Sequence, residues 1–171
     1  MMPRRFGLAM AVAALPFLMP VSWALAQGIT PAERETMLNL HNSYRTQHCV
    51  PALTWSAELA ASAQRWADNC SLISHDKSRG RVGENLAWGG DRSGSSAVDA
   101  WYKEVEDYNY AKPGFASSTG HFTNMIWKNT RQMGCGVAKC YLGSVRFWVC
   151  RYSPQGNWAG QFPQNVPKKC K

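Results

Sequence analysis

The chain has 171 residues, of which 45% are hydrophobic and 18% charged, and its formal net charge is +8. This length suits one domain, and this apolar share supports a packed core, which excludes wholesale disorder. The 14 glycines and 9 prolines follow no period, which excludes a collagen-like repeat. Because no basic run carries interleaved aromatic residues, we expect no nucleic-acid binding.

Residues 1–26 have the three parts of a secretory signal peptide. Arg4 and Arg5 give the positive start, an apolar stretch runs from Phe6 to Leu18, and Ala24-Leu25-Ala26 fits a cleavage site. A membrane anchor is the alternative, but the apolar stretch is shorter than the ~20 residues that a helical span needs. Cleavage would remove two arginines and lower the net charge from +8 to +6. We therefore expect a secreted domain over residues 27–171, extracellular or, in a bacterium, periplasmic.

An even number of cysteines follows this segment: Cys49, Cys70, Cys135, Cys140, Cys150 and Cys170. In an exported protein this count predicts three disulfides. Six cysteines allow about 15 pairings, so their spacing alone selects none. Zinc binding by thiolates is the alternative, and it is disfavoured because the chain has no Cys-x-x-Cys pair and export favours oxidised thiols.

The first half of the mature chain predicts two helices and a strand. Thr30, Pro31 and Glu33 combine an N-cap, a proline at the first helical position and a capping-box glutamate, so a helix should run to about residue 47. Ser56 should cap a second helix, which has apolar residues at helical spacing and should end near residue 70. Residues 83–88 suit a short strand.

The second half predicts two more helices and a hairpin. Ser95-Ser96 should cap a third helix, and residues 120–127 suit a fourth. Residues 135–140 and 145–152 are predicted strands on either side of the turn Gly143-Ser144. From Ser153 the chain is rich in glycine, proline and asparagine, so we expect an irregular tail. With no internal repeat or linker, the mature chain should form one domain of mixed α+β structure.

Four short segments stand out for their order and spacing: His41-Asn42-Ser43-Tyr44-Arg45, Gly83-Glu84-Asn85-Leu86, Gly120-His121-Phe122-Thr123-Asn124-Met125-Ile126-Trp127 and Phe147-Trp148-Val149-Cys150-Arg151-Tyr152-Ser153-Pro154-Gln155-Gly156-Asn157-Trp158. Together they resemble the CAP superfamily, which groups cysteine-rich secretory proteins, antigen 5 of insect venoms and class-one pathogenesis-related proteins of plants. The plant-type members are the most similar, and the resemblance covers about residues 31–162. Each segment is short, and their order is what makes the signal specific.

The resemblance implies a three-layer α-β-α sandwich with a central antiparallel sheet, the CAP/SCP fold. The chain departs from the plant pattern at Asn124, where glutamine or alanine is usual, and at Thr119, where a cysteine is common. By analogy with related domains, the resemblance also implies the disulfide pairs Cys70–Cys140, Cys135–Cys150 and Cys49–Cys170.

The resemblance further implies a surface cleft that holds His75, Glu84, Glu104 and His121. Neutral imidazoles of His75 and His121 suit a divalent metal, zinc above all, with water completing the coordination. Glu84 and Glu104 would act as ligand-binding groups that orient the rings or bond the bound water. The spacing of the four residues is not diagnostic by itself, since no His-Glu-x-x-His element is present. We expect zinc to bind weakly and reversibly, and we expect no required cofactor.

The function that the resemblance implies is that of a secreted, non-enzymatic binding protein in defence or host–microbe interaction. Its ligand would be a small hydrophobic molecule such as a sterol or fatty acid, a divalent metal in the cleft, or both. It would act as a monomer, with a membrane or cell-wall surface as a further partner. The alternative is a zinc-dependent hydrolase that uses the same four residues, although the chain lacks a Gly-x-Ser-x-Gly elbow. A third interpretation is a peptide precursor, because the segment from Pro154 to Gln164 resembles one that some plant members release.

Overall fold

A computed structural model describes residues 28–170, so the predicted signal peptide lies outside the described residues. The helices are α1 Pro31–Gln47, α2 Ala57–Asp68, α3 Gly94–Lys103, α4 Gly120–Ile126 and α5 Phe162–Asn165. The strands are β1 Thr54–Trp55, β2 Gly83–Gly89, β3 Gln132–Cys140 and β4 Val145–Ser153. A single 3₁₀ turn, Glu104–Glu106, follows α3.

The strands form one sheet in the order β1-β3-β4-β2. The three long strands pair antiparallel, as the resemblance implies. The two-residue strand β1 differs, because it pairs parallel to β3 with Thr54 beside Gln132. A parallel neighbour needs a long crossover connection, and the chain between β1 and β3 provides it by carrying α2, β2, α3 and α4.

Helix α2 covers one face of the sheet at unusually close range. Its buried residues Ala63 and Ala67 share a small apolar cluster with residues of β2, β3 and β4. Gly134 and Gly136 on β3 make this approach possible. A Cβ at Gly134 would lie 2.3 Å from the backbone nitrogen of Ala60, and one at Gly136 only 2.4 Å from the Cα of Gln64. Small residues on both elements therefore fix the distance between helix and sheet.

The opposite face of the sheet carries the larger core, against α1, α3 and α4. Its most voluminous fully buried side chains include Trp127, Trp148, Phe122 and Met37. Indole nitrogens in this core reach backbone acceptors, as when Trp101 donates to the carbonyl of Leu86 at 2.9 Å. Helices on both faces confirm the predicted three-layer α-β-α sandwich.

The helix starts follow the predicted signals with one exception. Thr30 and Glu33 form the capping box, in which each residue's side chain accepts from the other's backbone nitrogen. Ser56 caps α2. The prediction that Ser95-Ser96 caps α3 is wrong, because the cap is Ser93, whose hydroxyl accepts from the backbone nitrogen of Ser96 at 3.1 Å.

Three disulfides form, with the pairing that the resemblance implies: Cys49–Cys170, Cys70–Cys140 and Cys135–Cys150. The first closes a span of 121 residues and ties the end of α1 to the tail. The tail is otherwise irregular apart from α5, whose Phe162 packs edge-on against Trp127 with ring centroids 5.1 Å apart. Within residues 28–170, no helix combines the length and hydrophobicity that a membrane crossing requires.

Candidate functional site

A cavity of about 320 Å³ opens where the start of β2, the start of α4 and the tail meet. Three of the four predicted site residues line it: His75, Glu84 and His121. The rest of its wall is formed by the loop after His75, the segment before α4, α4 itself and the tail, including Arg79, Phe115, Asn124 and Asn157. The fold thus brings together three separate stretches of the chain, 75–84, 115–124 and 155–157.

His75 is oriented by Glu84. The ring Nδ1 of His75 lies 2.8 Å from Oε1 of Glu84, and the same oxygen accepts from the backbone nitrogen of Asp76 at 3.1 Å. The side chain of Glu84 is completely buried, whereas that of His75 is 51% exposed. A carboxylate anchored inside the protein therefore holds a surface imidazole in one orientation.

His121 is oriented by Glu104 in the same manner. Its Nδ1 lies 2.6 Å from Oε1 of Glu104. The other oxygen of Glu104 accepts from the backbone nitrogens of His121 and Phe122, at 2.9 and 3.0 Å. These amides belong to the first turn of α4 and have no partner within that helix. Glu104 therefore satisfies the start of α4 and orients the histidine with one carboxylate.

The two carboxylates also fix the tautomers of the two rings. An ionised carboxylate only accepts hydrogen bonds, so Nδ1 of each histidine must carry the proton and donate it. In a neutral ring this leaves the Nε2 lone pair as the acceptor or metal ligand. Within the described residues, neither Nε2 has a hydrogen-bond partner. Both imidazoles are therefore available as nitrogen ligands.

Glu84 is held in turn by a buried arginine. Arg151 places Nε 3.3 Å and Nη2 3.2 Å from Oε2 of Glu84, and Nη2 also lies 2.5 Å from Oδ2 of Asp76. A further hydrogen bond runs from Arg151 to the hydroxyl of Ser62. Burial opposes ionisation of Asp76, but hydrogen bonds from Ser78 and Arg151 outweigh it and lower the pKa of Asp76. The sequence analysis did not identify Asp76 or Arg151 as site residues, although Arg151 lies within the segment from Phe147 to Trp158 that resembles the family.

A second network fixes the backbone of α4 beside the cavity. Asn85 donates to the carbonyl of His121 at 3.0 Å and to the hydroxyl of Tyr152 at 3.3 Å. That hydroxyl donates to Nε2 of His41 at 2.9 Å, while Nδ1 of His41 donates to the carbonyl of Met37. Burial lowers the pKa of His41 to about 4, which keeps this ring neutral. His41 is fully buried and has a structural role, because both of its ring nitrogens are used in hydrogen bonds within the core.

Glu104 does not line the main cavity. It lies instead on the wall of a neighbouring hollow of about 280 Å³. His121 lines both this hollow and the main cavity. Apolar residues, among them Leu86, Trp88 and Trp101, form most of the other walls. The predicted cleft is therefore two adjoining spaces that share His121 as a lining residue.

The donor set limits the kind of metal site that could form. Within residues 28–170, no three His, Cys, Asp or Glu side chains are arranged to hold a metal ion. The available set is two imidazole nitrogens, with water for the other positions. Such a set fits a borderline cation such as Zn²⁺ in an open site, and it does not fit Mg²⁺ or Ca²⁺, which prefer oxygen.

Comparison with known proteins agrees with this architecture. The description "CAP: Cysteine-rich secretory protein family" matches residues 38–152. The chain is 45% identical over 143 residues to human Golgi-associated plant pathogenesis-related protein 1, and the alignment covers 78% of this chain and 92% of that protein. It is 38% identical over 135 residues to pathogenesis-related protein 1 of Arabidopsis thaliana, with coverage of 76% and 81%.

The fold is shared with venom allergen-like protein 4 of Schistosoma mansoni, at a TM-score of 0.68 and 24% identity, with coverage of 84% and 97%. The chain also matches Protein PRY2 of Saccharomyces cerevisiae at 44% identity, but it spans only 40% of that protein's length. The three disulfides are consistent with an extracellular location. Sequence, fold and the order of the four segments together place the chain in the CAP, or cysteine-rich secretory protein, family.

Proposed function

We propose that the protein reversibly binds a divalent cation of the zinc type through Nε2 of His75 and Nε2 of His121. The observation that carries the proposal is the matched pair of carboxylate–imidazole contacts, at 2.8 and 2.6 Å, in which each glutamate occupies Nδ1. A carboxylate behind a ligating histidine fixes the ring and raises its basicity. The two pairs place both imidazole rings on the wall of the same cavity.

The electrostatics of the hollow also favour a cation. Glu84 and Glu104 bring two negative charges directly behind the two rings. Arg151, behind Glu84, and Arg79, on the cavity wall, offset part of this charge from positions that are not behind His121. The rings remain partly exposed, 51% for His75 and 32% for His121, so water has access to the remaining coordination positions. Two protein ligands in an open site support weak, exchangeable binding.

The geometry supports binding over hydrolysis. A zinc hydrolase needs a carboxylate that is free to accept a proton from the metal-bound water. The oxygens of Glu84 already contact His75, the Asp76 amide and Arg151. Those of Glu104 contact the ring of His121 and two backbone amides. Both carboxylates are committed to positioning, which is the role expected in a binding site.

An apolar ligand is the second candidate, and the hollow beside Glu104 favours it. Its walls combine Leu86, Trp88 and Trp101 with the polar pair Glu104 and His121 at one side. This combination suits an amphipathic molecule such as a fatty acid or sterol. Saturable quenching of tryptophan fluorescence by a fatty acid should be lost in Ala100→Leu, because residue 100 is an exposed position of α3 on the wall of the hollow and the larger side chain fills it without adding a fluorophore. Equal quenching of both proteins would remove this candidate.

Zinc titration by calorimetry tests the cation proposal. The exported protein, stripped of metal by a chelator, should show one Zn²⁺ site, with at least ~10-fold weaker binding in His75→Ala and in His121→Ala. Mg²⁺ serves as the control cation, because it prefers oxygen ligands and should give no heat. Undiminished zinc binding in both variants would contradict the proposal.

A further inference from the structure

A polar pocket of about 260 Å³ lies beside helix α2 and shares only Arg79 with the main cavity. Three arginines line it: Arg65 comes from α2, Arg79 from the loop before β2, and Arg151 from β4. The other lining residues are Ser62, Trp66, Asn69, Asp76 and Ser78. We call this space the arginine pocket, because guanidinium groups from three elements of the fold meet there.

The carboxylates around the arginine pocket do not balance its positive charge. Asp76 is the one acid among the described residues that line it. Its Oδ2 lies 2.5 Å from Nη2 of Arg151, and its Oδ1 accepts from the backbone nitrogen and the hydroxyl of Ser78 at 2.8 and 2.6 Å. Glu84, the second carboxylate on Arg151, is completely buried. Two carboxylates against three arginines leave an excess of one positive charge at the pocket.

Within residues 28–170, several hydrogen-bond donors of the arginine pocket have no acceptor. Arg79 donates from Nε and Nη1 to two backbone carbonyls of its own loop, at 3.3 and 2.6 Å, which leaves Nη2 without a bond. Arg65 is exposed, and its guanidinium has no acceptor in this part of the chain. Ser62 accepts from Nη1 of Arg151, so its own hydroxyl hydrogen remains to be donated. The pocket therefore offers two guanidinium groups and a hydroxyl to a ligand that is rich in acceptors.

The backbone carbonyls at the end of α2 are already hydrogen-bonded. A helix C-terminus carries partial negative charge on its free carbonyls, which would disfavour an anion. Here the carbonyls of Trp66 and Ala67 accept from the backbone nitrogens of Asn69 and Cys70, at 3.1 and 2.9 Å. These bonds reduce that partial charge. Asn69 also brings an exposed carboxamide, whose N–H groups are further donors, to the wall of the pocket.

We propose that the arginine pocket binds a phosphate or sulfate group. A tetrahedral oxyanion presents several acceptor oxygens, and guanidinium groups donate to such oxygens through paired N–H bonds. Arg65 and Nη2 of Arg79 hold two of these oxygens, and the hydroxyl of Ser62 donates to a third. Arg151 keeps its own carboxylates and adds its positive charge from within the protein. The proposal does not depend on zinc or on the two imidazoles.

Calorimetric titration with inorganic phosphate tests this proposal. The exported protein, stripped of metal by a chelator, should bind phosphate saturably at an ionic strength that NaCl holds constant, so that screening is the same throughout. Arg65→Gln should weaken binding about 10-fold and Ser62→Ala about 3-fold, because a charge-assisted and a neutral hydrogen bond are lost. Inorganic sulfate should compete with phosphate. Glycerol 3-phosphate is the second probe: tighter binding than phosphate identifies an ester as the ligand, and weaker binding identifies the free ion.

Arg81→Gln is the matched control. Arg81 is exposed and does not line the arginine pocket, yet its replacement removes the same charge as Arg65→Gln. Phosphate affinity should therefore stay within about 2-fold of the wild type, since screening weakens the effect of a distant exposed charge. Equal weakening in the two variants would overturn the proposal, because general surface charge would then attract the anion. So would a wild type without saturable binding, or binding that appears only when zinc is added, which would place the anion on a metal at the imidazoles.

Discussion

The carboxylate of Glu104 contacts His121 twice, through Oε1 to the ring Nδ1 at 2.6 Å and through Oε2 to the backbone nitrogen at 2.9 Å. The same residue therefore caps the start of α4 and orients a potential metal ligand. Because α4 has only seven residues, its position depends on contacts of this kind more than on its own hydrogen bonds. The site and the fold are coupled at this residue.

Glu104→Gln should weaken zinc binding by about 10-fold, because the amide cannot accept from the ring as strongly and the tautomer is no longer fixed. The free energy of unfolding should fall by about 1 kcal/mol through the weakened cap. Glu106→Gln is the matched control, since Glu106 is exposed in the same 3₁₀ turn. Calorimetry and urea unfolding measure the two effects. Zinc affinity of wild-type strength in Glu104→Gln would show that Glu104 acts on the helix alone.

Arg151→Met should lower the free energy of unfolding by about 3–5 kcal/mol, because it leaves the fully buried carboxylate of Glu84 without its cation. Urea unfolding at pH 7 measures this loss. Arg81→Met replaces an exposed arginine nearby and should change stability by no more than about 0.5 kcal/mol. If the two variants were equally stable, the buried ion pair would not support the site as described.

The ion pair of Glu84 and Arg151 is a contact that the sequence alone does not predict. Both residues lie in segments that resemble the family, yet the sequence does not reveal that they face each other. The sheet register decides this, because it places Glu84 of β2 directly opposite Arg151 of β4. A buried arginine must find a carboxylate or carbonyl groups. That rule predicts that Arg151 has a partner if it is buried, but it does not identify which aspartate or glutamate of the chain is the partner.

Local signals predicted the helices more completely than the site. The capping box of Thr30 and Glu33 fixed the start of α1 because both partners are three residues apart. The cap of α3 was misplaced because serines at 93, 95 and 96 all carry suitable hydroxyls, and only tertiary packing selects among them. Gly94 must stay small there, since a Cβ would lie 2.7 Å from the sulfur of Met37. Likewise, Glu104 lies outside the main cavity because of tertiary packing, which the spacing of residues along the sequence does not predict.

Acidification should destabilise the fold through His41. Burial lowers the pKa of His41 to about 4 from an unfolded value near 6.5. The unfolded chain therefore binds the proton first, so the stabilisation is complete above pH ~6.5 and is lost as the pH falls through ~4. The free energy of unfolding should drop by up to about 1.4 kcal/mol per pH unit between these values from this group. His41→Gln should have a flatter profile in urea unfolding between pH 7 and 4.5, and an identical slope would show that another group is responsible.

Removal of the disulfide between Cys49 and Cys170 should lower the free energy of unfolding by about 2–4 kcal/mol, because it closes a long span of chain. The comparison is Cys49→Ser/Cys170→Ser against the wild type, both under oxidising conditions. The tail should also become the first site of cleavage in limited proteolysis, while α1 stays protected. Unaltered stability together with an uncut tail would mean that α5 and Phe162 anchor the C-terminus without the cross-link.

The most direct test of the paired imidazoles is anomalous scattering at the zinc edge from crystals soaked in zinc. A single strong peak should lie about 2.0–2.1 Å from Nε2 of His75 and from Nε2 of His121. Glu84 and Glu104 should keep their contacts to the Nδ1 atoms in the same crystals. A cavity with no peak, or zinc bound to only one of the two rings, would contradict the account.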